Sequence, residues 1–221
     1  MLMFAFCTPL FARGGPPEVG FVRVVNAISP GTGNMKLFID GENLFPQGYE
    51  LGQRTGGIGL KAGTRKIEVR KDGVESGFTR LKLATGETVT IIAFAEPVPK
   101  KKDKKDEDKP EWKARLLRLS QRNVERGFRM TVVSVSQRPS VAVQVAAEIR
   151  GKVQTGRVKR LNTATFDLGG GRGEVLLKIA GETLAQVSLD DPGNYVVVLY
   201  DDDKGKIHAI SFYDPKFVIA G

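Results

Sequence analysis

Short stretches of alternating apolar and polar residues constrain this chain more than any other feature of its sequence. Ile67 and Val69 alternate with charged residues, and every second residue of segments 89–93 and 175–179 is apolar as well. Successive side chains of a β-strand point to opposite faces of a sheet, so each stretch places one apolar face against a core. The sequence therefore predicts an all-β fold.

Turn residues separate these stretches at the spacing typical of a β-sandwich. Asp-Gly occurs at 40–41 and 72–73, and Asp-Pro-Gly occurs at 191–193. These residues favour the backbone conformations that tight turns require. The alanines of segment 140–150 would also suit a helix, but the alternating valines of that segment favour a strand.

An internal repeat predicts that one unit occurs twice. Gly20 and Gly127 open two valine-rich stretches that are 107 residues apart, and Gly86 and Gly193 open two more at the same offset. Glycine before a valine-rich strand is a common pattern, so a chance match is the alternative to duplication. We predict two tandem antiparallel β-sandwich domains, immunoglobulin-like or carbohydrate-binding-module-like, at the following bounds: residues 20–120 and residues 126–219.

The first residues of the sequence are apolar. Residues 2–12 are uncharged, and the small residue Ala12 precedes Arg13. We interpret 1–12 as a signal peptide, shortened at its start because no basic segment precedes the apolar run. The alternative, a membrane anchor, would need about 20 apolar residues. We therefore expect a periplasmic or extracellular protein with no integral membrane span in the mature chain.

One charged segment interrupts the predicted strands of the first domain. Residues 96–111 contain six lysines among acidic residues that nearly cancel them. This composition predicts a solvated loop, with a polybasic arm for an anionic partner as the alternative. The next stretch, 112–119, alternates as a last strand would, but adjacent apolar residues at Leu116 and Leu117 shift its phase. That shift predicts a β-bulge.

The chain has few residues that suit catalysis or metal binding. It has one cysteine and one histidine, and it has neither a Gly-x-Ser-x-Gly motif nor a phosphate loop. Segment 169–173 is glycine-rich and could present amides to an anion, but an inter-strand loop is the simpler interpretation. Asp201, Asp202 and Asp203 would suit calcium, but a hairpin turn fits them better. We expect no enzyme, no catalytic residue, no metal ion and no cofactor.

Positive charge is the feature with functional weight. The net charge is +9, and arginines concentrate between positions 115 and 160. Guanidinium groups suit carboxylates and phosphates, so an anionic envelope polysaccharide, a lipid head group or an acidic envelope protein is the expected partner. Nucleic acid is not expected because no recognition module is visible and export would separate the two. A merely basic, soluble surface is the alternative.

The single tryptophan, Trp112, precedes the first of these arginines and would suit stacking on a sugar, although packing at a domain edge is the alternative. The candidate ligand-binding residues are Trp112, Arg115, Arg118 and Arg129.

Four segments of the first half carry a family resemblance. Residues 22–30, 36–41, 60–69 and 85–93 resemble the successive signature segments of a family of bacterial extracellular β-sandwich domains of undefined function. The resemblance covers residues 20–95 and implies a secreted or surface protein with tandem domains. Asn26 departs from it, since that family commonly has histidine there, and this removes the obvious candidate for a shared polar site.

The layout of the whole chain is similar to that of the family of alginate O-acetylation accessory protein F, which assists acetylation of exopolysaccharide outside the inner membrane. From the residues and these resemblances we expect a non-enzymatic, exported cell-envelope binding or scaffold protein. The alternative is an accessory factor of exopolysaccharide O-acetylation that binds an acidic glycan or an acetyltransferase partner.

Overall fold

The computed structural model describes residues 18–98, 111–120, 126–147 and 151–215. The predicted signal peptide and most of the charged segment lie outside the described residues. Within the described ranges the secondary structure is entirely β, as the alternating pattern predicted, and segment 140–147 is a strand rather than a helix. No described segment is a helix of the length and apolar character needed to cross a membrane.

Eight strands precede residue 121, and we call them the N-terminal half. They are β1 (Val19–Ala27), β2 (Thr32–Ile39), β3 (Glu42–Asn43), β4 (Ile58–Lys61), β5 (Gly63–Asp72), β6 (Val74–Leu83), β7 (Thr88–Pro97) and β8 (Trp112–Ser120). Eight more form the C-terminal half. They are β9 (Phe128–Ser134), β10 (Ser140–Ala147), β11 (Lys152–Lys159), β12 (Thr163–Gly169), β13 (Gly173–Ile179), β14 (Glu182–Leu189), β15 (Gly193–Asp201) and β16 (Ile207–Asp214).

The strand order of the first half is repeated in the second. The N-terminal half is one sheet ordered β3-β2-β5-β6-β8-β7-β1-β4, and the C-terminal half has two sheets ordered β11-β10-β13-β14 and β12-β9-β15-β16. Matching β1 with β9, and so on to β8 with β16, gives the same neighbours in both halves. The difference is the short pairing of β6 with β8, which joins two groups of four strands into one sheet.

A glycine makes this junction between β6 and β8 possible. The two strands pair at Val74 with Trp112 and at Glu75 with Lys113. Just beyond, a Cβ atom on Gly77 would lie 2.2 Å from the carbonyl oxygen of Ala114, well inside van der Waals contact. Only a residue without a side chain lets the two backbones approach so closely.

The prediction of purely antiparallel sheets is wrong for three pairs of strands. β1 pairs with β7 in parallel, β9 pairs with β15 in parallel, and the short β6–β8 contact is also parallel. A parallel pair needs a long connection, and in each half several strands separate the first strand from its parallel partner. The local alternation of side chains does not report strand direction, so the sequence could not reveal it.

Buried apolar side chains form three clusters. The first lies within the N-terminal half and draws on β1, β2, β5, β6, β7 and β8. The second takes residues from both sheets of the C-terminal half. The third lies between the halves, where the outer faces of β1, β7 and β8 pack on those of β9, β15 and β16. Its buried members are Val25, Ala27, Ile92, Phe94, Val133, Val135, Val196, Val198, Tyr200, Ile210 and Phe212.

The third cluster shows that equivalent residues of the two halves are an even number of positions apart. Val25 and Val133 both lie in this cluster, 108 positions apart, and Ile92 and Val198 also lie there, 106 positions apart. Side chains alternate between faces, so an odd offset would exchange the inner and outer faces of a strand. The sequence offset of 107 therefore matched the repeat only to within one residue at each anchor.

The predicted β-bulge in β8 is absent. β8 pairs with β7 in continuous register from Trp112 to Ser120. Leu116 packs against the first cluster, whereas Leu117 packs against the third. Adjacent apolar residues therefore occur because this strand is covered on both faces, not because its phase shifts.

Candidate functional site at the junction of the two halves

A buried ion pair crosses the junction. The Nη1 atom of Arg23 in β1 lies 2.7 Å from Oδ1 of Asp214 in β16, and the two side chains are 1% and 3% exposed. The Phe212 ring lies beneath two guanidinium groups, 5.1 Å from that of Arg23 and 5.4 Å from that of Arg54. Burial, together with the neighbouring Arg23, lowers the pKa of Arg54. The pair and the cluster around it set the relative position of the two halves.

Glu96 links the halves at a second place. Its Oε1 accepts a hydrogen bond from Arg160 of the C-terminal half at 2.6 Å, and its Oε2 accepts one from Arg115 of β8 at 3.0 Å. The hydrogen bond from Arg160 is the main cause that holds the pKa of Glu96 below its usual range. One carboxylate therefore connects cations from both halves.

A cleft of about 410 Å³ opens at one end of the junction. Aromatic rings from both halves line it: Phe94 of β7, Trp112 of β8 and Tyr200 of β15. Phe94 and Tyr200 are buried members of the third cluster, and Trp112 is half-buried against the first. The volume lies within the range of small-molecule sites, about 300–1,000 Å³.

The polar rim of the cleft is held by a loop that contacts both halves. The amide of Gln137 donates through Nε2 to the carbonyl oxygen of Ala95 at 2.9 Å, and its backbone N–H donates to Asp201 at 2.6 Å. The Ser136 hydroxyl also bonds to Asp201, at 2.9 Å. Arg138 donates to the carbonyl oxygen of Gly205 at 3.2 Å. These contacts hold an amide and a guanidinium at the mouth of the cleft.

The acidic side of the rim is a hairpin turn, as its residue types predicted. Oδ1 of Asp202 accepts from the backbone N–H groups of Lys204 and Lys206 at 2.9 and 2.8 Å, and Oδ2 lies 2.8 Å from Nε2 of His208. The hydrogen bond to His208 is the main cause that lowers the pKa of Asp202. Among the described residues, no three His, Cys, Asp or Glu side chains are placed to hold a metal ion.

The four predicted site residues lie in different places. Trp112 lines the junction cleft. Arg115 lines a second groove of about 600 Å³ on the outer side of β6 and β8, which shares Phe94 with the cleft. Arg118 donates to Glu87 at 2.6 Å, and Arg129 lies in β9 between Asp167 and Asn194. The structure does not gather these residues into one site, and a ligand at any of them stays a prediction.

Sequence reasoning missed the residues that accompany Trp112 in the cleft. Phe94, Arg138 and Tyr200 come from distant segments, and the contact between the halves brings them together. No local pattern in the sequence marks that contact. The one indirect signal was the unbroken apolar run at 195–200, which predicts a strand covered on both faces without saying what covers it.

Comparison with known proteins identifies no family. No family model matches this chain. No curated protein matches it either. Among solved structures, the Bacillus anthracis TIE protein is similar over 84% of this chain and 50% of its own, with 10% identity and a TM-score of 0.26. The chain thus spans half the length of that protein, and a likeness at this level assigns neither family nor function. The resemblances seen in the sequence stay predictions beyond the all-β fold.

Proposed function

We propose that this protein is a non-enzymatic binding or scaffold protein of the cell envelope, built from two β-sandwich modules, with a saccharide site in the junction cleft. The repeated strand order supports the two modules, because each half has its own buried cluster and the same neighbours for every strand. The buried ion pair and the third cluster support a rigid pair rather than two modules on a flexible link.

The observation that carries the saccharide site is the aromatic wall beside a fixed polar rim. Sugar rings place their apolar C–H faces on aromatic side chains and direct hydroxyl groups toward amides, guanidinium groups and carboxylates. Trp112 offers the ring, and Gln137, Arg138 and Asp203 offer the polar groups. The contacts of Gln137 and Arg138 hold both side chains in place before a ligand arrives, which lowers the entropic cost of binding.

The placement of the one histidine supports the proposal of a non-enzymatic protein. The chain has one histidine, His208, and its ring is bonded to Asp202 inside the turn and stacked on Tyr200 at 5.7 Å. The ring of His208 therefore stabilises the turn. It is engaged there and is not free to act as the general base that would activate a nucleophile. Export to the periplasm or the exterior is proposed from residues 1–12.

Calorimetric titration of the purified protein with short oligosaccharides tests the site. We expect saturable binding, a loss of about tenfold or more in Trp112→Ala, and a similar loss in Arg138→Ala. Phe45→Ala is the control, because Phe45 is an exposed aromatic residue outside the cleft. Binding that Trp112→Ala leaves unchanged, or the absence of binding by neutral and acidic oligosaccharides alike, would remove the proposal.

A second candidate is an accessory factor of exopolysaccharide O-acetylation of the alginate type, acting on an acidic glycan or through an acetyltransferase partner. A strongly basic outer face of β2, β5 and β6 favours it, since such a face attracts acidic polymers. Co-purification with a membrane-bound acetyltransferase expressed from the same genome tests this candidate. If no acetyltransferase co-purifies, the role in acetylation is refuted and only the proposed binding function remains.

A further inference from the structure

One sheet face of the N-terminal half combines cations with exposed aromatic rings. It is the outer face of β2, β5 and β6, opposite the first cluster, and we call it the basic face. Its central members are Lys36, Phe38, Lys66, Glu68, Arg70, Phe78, Arg80 and Lys82. Within this group five cations accompany one carboxylate, so the group is positive, and the carboxylates Asp72 and Glu75 lie beyond it at the end of β5 and the start of β6.

The register of the three strands arranges these side chains in rows. Phe38 lies opposite Glu68, which lies opposite Phe78 on the next strand. Arg70 lies opposite Lys36, and cations also flank the row on its other side. Neighbouring strands are about 4.8 Å apart, and alternate residues along a strand are about 6.7 Å apart. The charged and aromatic side chains of this face therefore lie at regular spacings.

The central carboxylate, Glu68, shows what the neighbouring cations can bind. Glu68 accepts hydrogen bonds from Lys66 and from Arg70, each at 2.6 Å, and these two bonds hold its pKa below the usual range. Within the described ranges, Lys36, Arg80 and Lys82 form no salt bridge. The geometry therefore already binds one carboxylate and leaves further cations on both sides of it.

The aromatic rings differ in how open they are. The guanidinium of Arg70 lies 4.0 Å from the centre of the Phe38 ring and covers it. Lys66 and Arg80 also lie over the Phe78 ring, farther from its centre at 5.1 and 5.8 Å, and Phe78 is 58% exposed. Phe78 is thus the more exposed of the two rings, and it lines the second groove that leads toward Phe94.

The equivalent face of the C-terminal half lacks this character. At the positions that correspond to Lys66, Glu68 and Arg70, strand β13 has an anion, an apolar residue and one cation: Glu174, Leu176 and Lys178. Both faces belong to sheets with the same strand order. The basic face is therefore a property of these particular side chains and not a consequence of the fold.

We propose that the basic face binds an acidic polysaccharide with a carboxylate on each repeating unit, a polyuronate. The hydrogen bonds that Lys66 and Arg70 make to Glu68 argue for carboxylates, and the exposed side chain of Phe78 offers apolar contact to a sugar. Single-stranded nucleic acid would need several open rings for successive bases, and cations lie over both rings of this face. This inference rests on the proposed binding function but uses a surface apart from Trp112.

Binding of the full chain to polyuronate tests the inference. The measurement compares polyuronate, the same polymer with its carboxyls reduced, and oligo-dT, each at low and physiological salt. We expect saturable binding to polyuronate alone at physiological salt. Arg80→Ala with Lys82→Ala should weaken it about tenfold, and Phe78→Ala should weaken it while Phe78→Trp restores it. Arg157→Ala with Lys178→Ala is the control, since it removes the same charge from the equivalent sheet.

Each contrary outcome has one meaning. Equal loss in the control pair, or binding abolished by physiological salt, would reduce the face to general electrostatics and overturn the inference. Preference for oligo-dT would overturn it in favour of nucleic acid. Loss in Trp112→Ala with none in the basic-face variants would place the polymer in the cleft, so that the inference fails while the proposed function stands. If only the basic-face variants lose binding of polyuronate and no oligosaccharide binds in the cleft, the inference stands and the proposed saccharide site in the cleft fails.

Discussion

Arg23 and Asp214, 191 positions apart in the chain, form an ion pair at 2.7 Å that is almost completely excluded from solvent. Arg23 lies in the first strand and Asp214 ends the last, so the pair closes the chain across the junction. Taking two charges out of water is unfavourable, and the pair is tolerated because the partners satisfy each other. Removing one partner leaves the other charge buried.

We predict that Arg23→Met or Asp214→Asn lowers the free energy of unfolding by about 3–5 kcal/mol. The double variant Arg23→Met with Asp214→Leu should recover most of that loss, since no charge is then buried. Urea unfolding checks both. Arg65→Met is the control, because its pair with Asp40 is at the surface and should contribute about 1 kcal/mol or less. Equal losses at both sites would contradict the prediction.

Gly77 gives a prediction about the joined sheet. Gly77→Ala should destabilise the protein by about 1–3 kcal/mol, because the new Cβ would overlap the backbone of Ala114 and push β6 from β8. Gly56→Ala should have little effect, since nothing lies within 4 Å of the place that its new Cβ would take and its backbone is not left-handed. Thermal unfolding of the two variants would show the difference, and an unchanged midpoint for Gly77→Ala would be the contrary result.

We predict that the stability of the folded protein depends on pH through the ionisation of Glu96. Its pKa is lowered in the folded protein, chiefly by Arg160, so its contribution is fully present above the ordinary value of 4.5 and is lost as pH falls through the lowered pKa. Glu96→Gln should therefore be less stable than the wild type at pH 7, and the gap should narrow toward pH 3. Urea midpoints across that range measure it, with Glu182→Gln at the exposed start of β14 as the control. A constant gap would show that Glu96 acts by packing alone.

The strands themselves could be predicted from the sequence because alternation depends on near neighbours. Ile67 and Val69 face the core as expected, and the Asp202 turn forms where its residue types placed it. The sequence repeat also predicted the repeated strand order, but its offset was correct only to within one residue. The exact offset depends on which face of the strand each side chain occupies. A run of consecutive valines does not reveal this, because the residues on both faces are identical.

The junction could not be predicted, because it depends on contacts between distant segments. The adjacent Leu116 and Leu117 predict a bulge, whereas Leu117 in fact packs against the third cluster, which the second half completes. Phe38, Arg70 and Phe78 come from three strands, and each alone looks like an ordinary exposed residue of a strand. Only the register of β2, β5 and β6 brings them onto one face.

The emission of Trp112 tests the proposed function most directly. It is the only tryptophan in the chain and it lines the junction cleft, so its fluorescence reports on that site without background from another indole. We predict a saturable change in its emission as a short oligosaccharide is added, and we expect Arg138→Ala to weaken the titration. An emission that stays constant while calorimetry records binding of the same oligosaccharide would contradict a site in the cleft.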